Sequence, residues 1–132
     1  MNKYMFTGVY SNASWARLVQ GSDDRATAFD TLLRSLGGSL DVIYWTAGSG
    51  EVRAIAELPD AKAAKAVVTA TVKTGAFSTV EAEELLNQDQ LRDTLVLARS
   101  VEPFYDAPGA ASTTRLPAVN GERREAARDR TK

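Results

Sequence analysis

The stretch from Ser39 to Leu58 constrains the fold more than any other part of this chain. SLDVIYWTA runs into Gly48-Ser49-Gly50 and returns as EVRAIAEL, the pattern of two strands joined by a tight turn. On the outgoing strand Leu40, Val42, Tyr44 and Thr46 alternate with Asp41, Ile43, Trp45 and Ala47. Both sets are largely apolar, so both faces are expected to be covered. On the return strand Val52, Ala54, Ala56 and Leu58 form an apolar face, and Glu51, Arg53, Ile55 and Glu57 a mixed one. The glycine turn opens a strand rather than a helix and has no Walker lysine, so it reads as a hairpin connector and not as a phosphate cradle.

The flanking segments supply the rest of a sheet and its helices. Lys3 to Tyr10 (KYMFTGVY) reads as a strand, with Tyr4, Phe6, Gly8 and Tyr10 on one face and Met5, Thr7 and Val9 on the other. Gly8 marks a bulge, or a close approach by a neighbouring backbone or a ligand. Ser11-Asn12 caps a short helix, Ala13 to Gln20, which stops at Gly21. A second helix is expected with Ser22 as its cap and Asp23 and Asp24 in its first turn. Its inward residues are Ala26, Phe29, Leu32, Leu33 and Leu36, and Gly37-Gly38 closes it. Pro59-Asp60 starts a third helix, to Thr74, whose alanines allow close packing. Ala76 to Leu85 is a fourth strand, with Glu81, Glu83 and Glu84 placed to protect an exposed edge. A helix from Gln88 to Val101 follows, with Leu91, Leu95 and Val96 inward.

Strand, helix, strand, strand, helix, strand, helix is the order of a ferredoxin-like βαββαβ sandwich of the α+β class, with an extra C-terminal helix. Such a sheet carries its helices on one face. The other, apolar face needs a cover, and a second copy of the chain in a closed two-fold contact is the simplest one. A homodimer or higher oligomer is therefore expected. Residues 1–101 form the domain. Residues 102–132 hold three of the four prolines and no sustained apolar period, and are expected to be a mobile tail. From Arg115 on the tail has six basic residues against three acidic ones; it reads as a solvated tail or as a docking arm for an acidic protein partner. Phe104-Tyr105 could fold back onto the domain.

Composition narrows the chemistry. A chain of 132 residues suits one domain. It has no cysteine and no histidine, which removes disulfides, thiolate nucleophiles, Cys- or His-bound transition metals and the commonest general base. A formal net charge of -1 gives no field to steer nucleic acid or an anionic membrane. No apolar run reaches the length of a signal or spanning segment, so a cytoplasmic protein is expected. No metal, cofactor, nucleic acid or membrane partner is expected.

The segments KYMFTGVY, SLGGSLDVIYW, AGSGEVRAIAELPD and EAEELLNQDQL together resemble the GYD-domain family, over roughly Lys3 to Leu95. These are small bacterial proteins placed with the dimeric α/β barrels. The family is named for a Gly-Tyr-Asp motif in the hairpin turn, where this chain has Gly48-Ser49-Gly50-Glu51 and so lacks the tyrosine and the aspartate. The resemblance implies the fold and the dimeric barrel; it implies no common activity.

Six residues are candidates for a ligand site or an interface: Tyr10, Trp15, Tyr44, Trp45, Arg53 and Glu57. The aromatics stand near the presumed sheet ends, with hydroxyl or indole groups to orient a ligand. Arg53 and Glu57 are four apart on the mixed face, about 13 Å along a strand. Each therefore needs its own partner, across the sheet or in a ligand. The functional expectation is a non-catalytic homo-oligomeric module that binds a small organic molecule or a protein partner. One alternative is a cofactor-independent isomerase or monooxygenase for an aromatic or polyketide-like substrate, using Arg53, Glu57 and Tyr44. The other is a self-assembling structural subunit recruited through its tail.

Overall fold

The structure, a computed structural model, describes residues 1–21 and 23–109. Strand β1 (Asn2–Tyr10) is followed by helices α1 (Asn12–Gln20) and α2 (Arg25–Ser35), the hairpin β2 (Ser39–Trp45) and β3 (Val52–Leu58), helix α3 (Ala61–Lys73), strand β4 (Phe77–Leu85) and helix α4 (Gln88–Val101). The four strands form one antiparallel sheet in the order β2-β3-β1-β4. This is the ferredoxin-like α+β arrangement expected from the order of elements.

The chain divides into two compact units, Met1–Asn87 and Gln88 onward. In the first, Tyr4, Phe6, Ala54, Ala56 and Leu58 of the sheet pack with Leu33 of α2 and Ala63, Ala64 and Val67 of α3, all buried. In the second, α4 and the 3-10 turn Glu102–Phe104 are the described elements. Leu91, Leu95 and Val96, expected to point inward, are exposed: α4 buries no residue, because the described part of its unit holds no second layer to bury against. Phe104 and Tyr105 are also exposed. The basic residues from Arg115 on lie outside the described residues.

Caps and stops follow local chemistry. At α2 the cap is Asp24, whose carboxylate accepts from the Thr27 N–H at 3.0 Å and from the Thr27 hydroxyl at 2.7 Å. The expected cap, Ser22, lies outside the described residues, and Asp23 and Asp24 precede the helix rather than forming its first turn. Asp23 instead pairs with Arg25 at 3.0 Å. Gly37, with φ 84°, and Gly38 end α2 by donating to the carbonyls of Arg34 and Leu33, the two bonds of a Schellman stop. Asp60 caps α3 by accepting from the Ala63 N–H at 2.9 Å.

The faces of β2 differ from simple alternation. Between Leu40 and Val42 the register with β3 shifts, so that Leu40 pairs with Ala56 while Val42 pairs with Ile55 and Ile43 with Ala54. Asp41 is the extra residue of a bulge, which reverses the phase of everything before it. Leu40 therefore joins Ile43 and Trp45 beside the buried face of β3, and Val42 and Tyr44 lie with Ile55 and Arg53 on the opposite face. A two-residue period carried through Asp41 puts Leu40 on the wrong side.

Candidate functional site

Small residues on facing elements leave space inside the first unit. Gly8 and Ala54 on the sheet, Ala28 on α2 and Ala70 on α3 all line one cavity of about 210 Å³. Its remaining walls are mostly aromatic and aliphatic, with Phe6, Phe29 and Phe77 prominent. The alanine spacing of α3 does two jobs. Ala63 and Ala64 are buried in close packing with the sheet, whereas a full turn and more beyond, Ala70 is too short to fill the gap. Gly8 works in the same way: a Cβ there would lie 2.8 Å from the Phe77 ring, so the glycine gives that ring its place. The bulge that the glycine might have marked falls one step later, between Val9 and Tyr10.

An aromatic cluster closes one end of the sheet next to this cavity. Tyr10, 5% exposed, stacks on Phe77 with centroids 4.6 Å apart and meets Trp15 edge to face at 5.2 Å. Trp45 donates its indole N–H to the Tyr10 hydroxyl oxygen at 3.3 Å. The start of α1 is tied to the loop before β4. Ser11 donates its hydroxyl to the Gly75 carbonyl and Ser14 donates its hydroxyl to the Ala76 carbonyl, both at 2.7 Å. The hairpin turn takes part as a seat rather than a cradle, for Gly50, at φ 72°, lies under the Trp15 ring. Its closure is internal, with Gly50 N–H to the Thr46 carbonyl and Glu51 N–H to the Thr46 hydroxyl, both at 2.9 Å.

The six candidates thus fall into two groups. Tyr10 lines the cavity, and Trp15 and Trp45 hold it from behind. Tyr44, Arg53 and Glu57 lie on the other face of the sheet, where Tyr44 is 68% exposed. Arg53 pairs with Glu51 on its own strand at 2.9 Å. Glu57 accepts from Lys3, its cross-strand neighbour, at 3.2 Å, and Lys3 also pairs with the bulged Asp41. Hydrogen bonds from the Lys3 ammonium to Asp41 and then to Glu57 raise its pKa above the ordinary lysine value. These pairs are solvent-accessible and contribute little to stability.

The polar groups of the cavity are few. Thr71 donates its hydroxyl to the Val67 carbonyl and Thr74 to the Thr71 carbonyl. Arg25 lines the cavity with its guanidinium held by Asp23. Phe77, Phe29, Arg25 and the two threonines were not among the sequence candidates; the signal that could have found them is the coincidence of Gly8, Ala54 and Ala70 on surfaces that must face one another. A second, larger depression of about 640 Å³ runs along β4. It takes Tyr4 from one face of β1 and Met5 and Thr7 from the other, so it wraps the sheet edge as an open groove. Among the described residues no cluster of acidic side chains is placed to hold a metal ion, and no helix is long and apolar enough to cross a membrane.

Comparison with individually curated proteins gives no match. The family profile described as GYD domain matches residues 4–95, a span that contains the sheet from Tyr4 on, the cavity and the aromatic cluster. The chain belongs to the GYD-domain family.

Proposed function

We propose that this protein is a non-catalytic binding module that takes a small, mainly apolar molecule between its sheet and helices, and that two copies assemble through the uncovered sheet face. The cavity carries this reading. A pocket of about 210 Å³ with apolar walls exceeds the ~150 Å³ of an apolar cavity that binds benzene; it opens to solvent, which gives a guest a way in, and a guest that binds only the folded chain stabilises it. The binding reading is favoured over the proton-transfer alternative by placement. Arg53, Glu57 and Tyr44, the residues needed for turnover, lie on the sheet face opposite the cavity, and among the described residues no carboxylate lines the cavity itself.

Assembly is supported by the same outer face. Met5, Val42, Ile55 and Tyr44 present apolar surface there, flanked by Arg53, Glu81 and Glu83. Thr7 is level with Arg53 on one side and Glu81 on the other. A two-fold axis between two such sheets and parallel to their strands sets β4 over β2, bringing Glu81 of one copy towards the Tyr44–Arg53 pair of the other.

Amide nitrogen–proton spectra of the full chain, titrated with benzene, test the binding reading. Saturable shifts at Gly8, Ala70 and Phe77 are expected; a spectrum unchanged to the solubility limit of benzene overturns it. Light scattering tests assembly, for which twice the chain mass is expected and the single-chain mass is the contrary result.

A further inference from the structure

We infer that the cavity selects an uncharged, single-ring aromatic carrying one hydrogen-bond acceptor, an inference that rests on the binding reading above. Size, wall chemistry, charge and hydrogen bonding each narrow the class independently. The volume of about 210 Å³ holds a benzene-sized ring with a substituent of a few heavy atoms. The walls present ring edges as well as faces, since Phe6 and Phe29 meet at 82° and Tyr10 and Phe77 lie within 16° of parallel. An aromatic guest gains from such walls beyond its buried area, whereas a saturated ring of equal size gains area alone.

Charge argues against an ion. Among the described residues Arg25 is the one charged side chain on the lining, and Asp23 holds it at 3.0 Å with Asp24 next in sequence. A carboxylate guest would compete with Asp23 for the guanidinium, and an ammonium guest would face a like charge across apolar walls with no carboxylate to pair with.

Two donors are left to read the guest, the Arg25 N–H groups that Asp23 leaves unused and the Tyr10 hydroxyl. The hydroxyl hydrogens of Thr71 and Thr74 already go to backbone carbonyls. The oxygen of the part-buried Tyr10 hydroxyl accepts from Trp45, and its own hydrogen has no acceptor among the described residues. These donors turn to a carbonyl, ether or ring-nitrogen acceptor on the guest in place of water.

Isothermal titration of the full chain with four matched probes tests the inference. Acetophenone has the ring and the acceptor, ethylbenzene lacks the acceptor, cyclohexyl methyl ketone lacks the aromatic ring, and benzoate adds the charge. Acetophenone is expected to bind best, ethylbenzene and the cyclohexyl ketone each roughly three- to tenfold more weakly, and benzoate weakest. Tyr10→Phe, which keeps the stacked ring, is expected to narrow the difference between acetophenone and ethylbenzene. Equal affinity for acetophenone, ethylbenzene and the cyclohexyl ketone, or tightest binding of benzoate, overturns the ligand class and leaves the binding module standing. Absence of binding by all four overturns both. The comparison of probes on the unaltered chain decides the matter even where Tyr10→Phe lowers stability.

Discussion

Gly50 and Trp15 are fitted to each other across the sheet end: a Cβ on Gly50 would stand 2.9 Å from Cζ2 of the Trp15 ring, and the Gly50 backbone holds φ at 72°. Gly50→Ala therefore meets two obstacles, the left-handed backbone and the ring. It should lower stability by about 1–3 kcal/mol, measured by denaturant unfolding. Trp15→Ala removes the ring obstacle alone, so the cost of Gly50→Ala should shrink in that background while its backbone part persists. Equal costs in the two backgrounds would mean the ring yields freely.

Leu33 is completely buried among Tyr4, Phe6 and Leu58, where the two-layer sandwich is closed. Leu33→Ala should cost about 2–5 kcal/mol. Tyr44→Ala, at a residue 68% exposed on the outer face, should leave the unfolding free energy per chain nearly unchanged and weaken self-association, read by light scattering on dilution.

Acid should destabilise the fold through α2. The Thr27 N–H and hydroxyl hold the Asp24 carboxyl below the ordinary carboxylate range, and Arg34 and then the Leu40 N–H do the same for Asp30. A group whose folded pKa is depressed contributes stability above its unfolded value and loses it as pH falls through the folded one. The melting midpoint should thus hold steady down to about pH 5 and fall below about pH 4. Asp30→Asn should lower the midpoint at neutral pH and flatten the acid limb; an acid limb as steep as before would assign the loss to other carboxylates.

The outer face gives a charge test. Glu81→Arg should weaken the proposed dimer, and adding Arg53→Glu should restore it in part, because exchanging the two signs recovers the attraction. Weakening by Arg53→Glu alone with further loss in the pair would place these groups apart.

The elements of the fold were legible because their signals are local. Gly37-Gly38, Asp60 and the apolar period of α2 act within a turn or two of the chain, and the Gly48-Ser49-Gly50 turn fixes which strands pair. Less legible was the phase of β2, because the bulge at Asp41 depends on pairing with β3 and leaves no mark in the sequence of β2. The site was half legible. Tyr10 stood out as a large aromatic at a strand end, but Phe77, its partner across β1 and β4, belongs to the cavity because its ring reaches over Gly8, which has no side chain to displace it. Arg53 and Glu57 drew notice as charges in an apolar strand; in the fold they answer Glu51 and Lys3 on the outer face. Side-chain volume missing from several elements at once, at Gly8, Ala54 and Ala70, is a tertiary property, and no single segment displays it.

The cavity itself is tested most directly by filling it. Titration of acetophenone into the full chain and into Ala70→Leu, followed by amide nitrogen–proton spectra, should show saturable binding in the first, with shifts centred on Gly8, Thr71 and Phe77. In Ala70→Leu, which places a larger side chain in the void, that binding should vanish while the melting midpoint stays level or rises. Undiminished binding in Ala70→Leu, or shifts centred on Tyr44 and Arg53, would contradict the account.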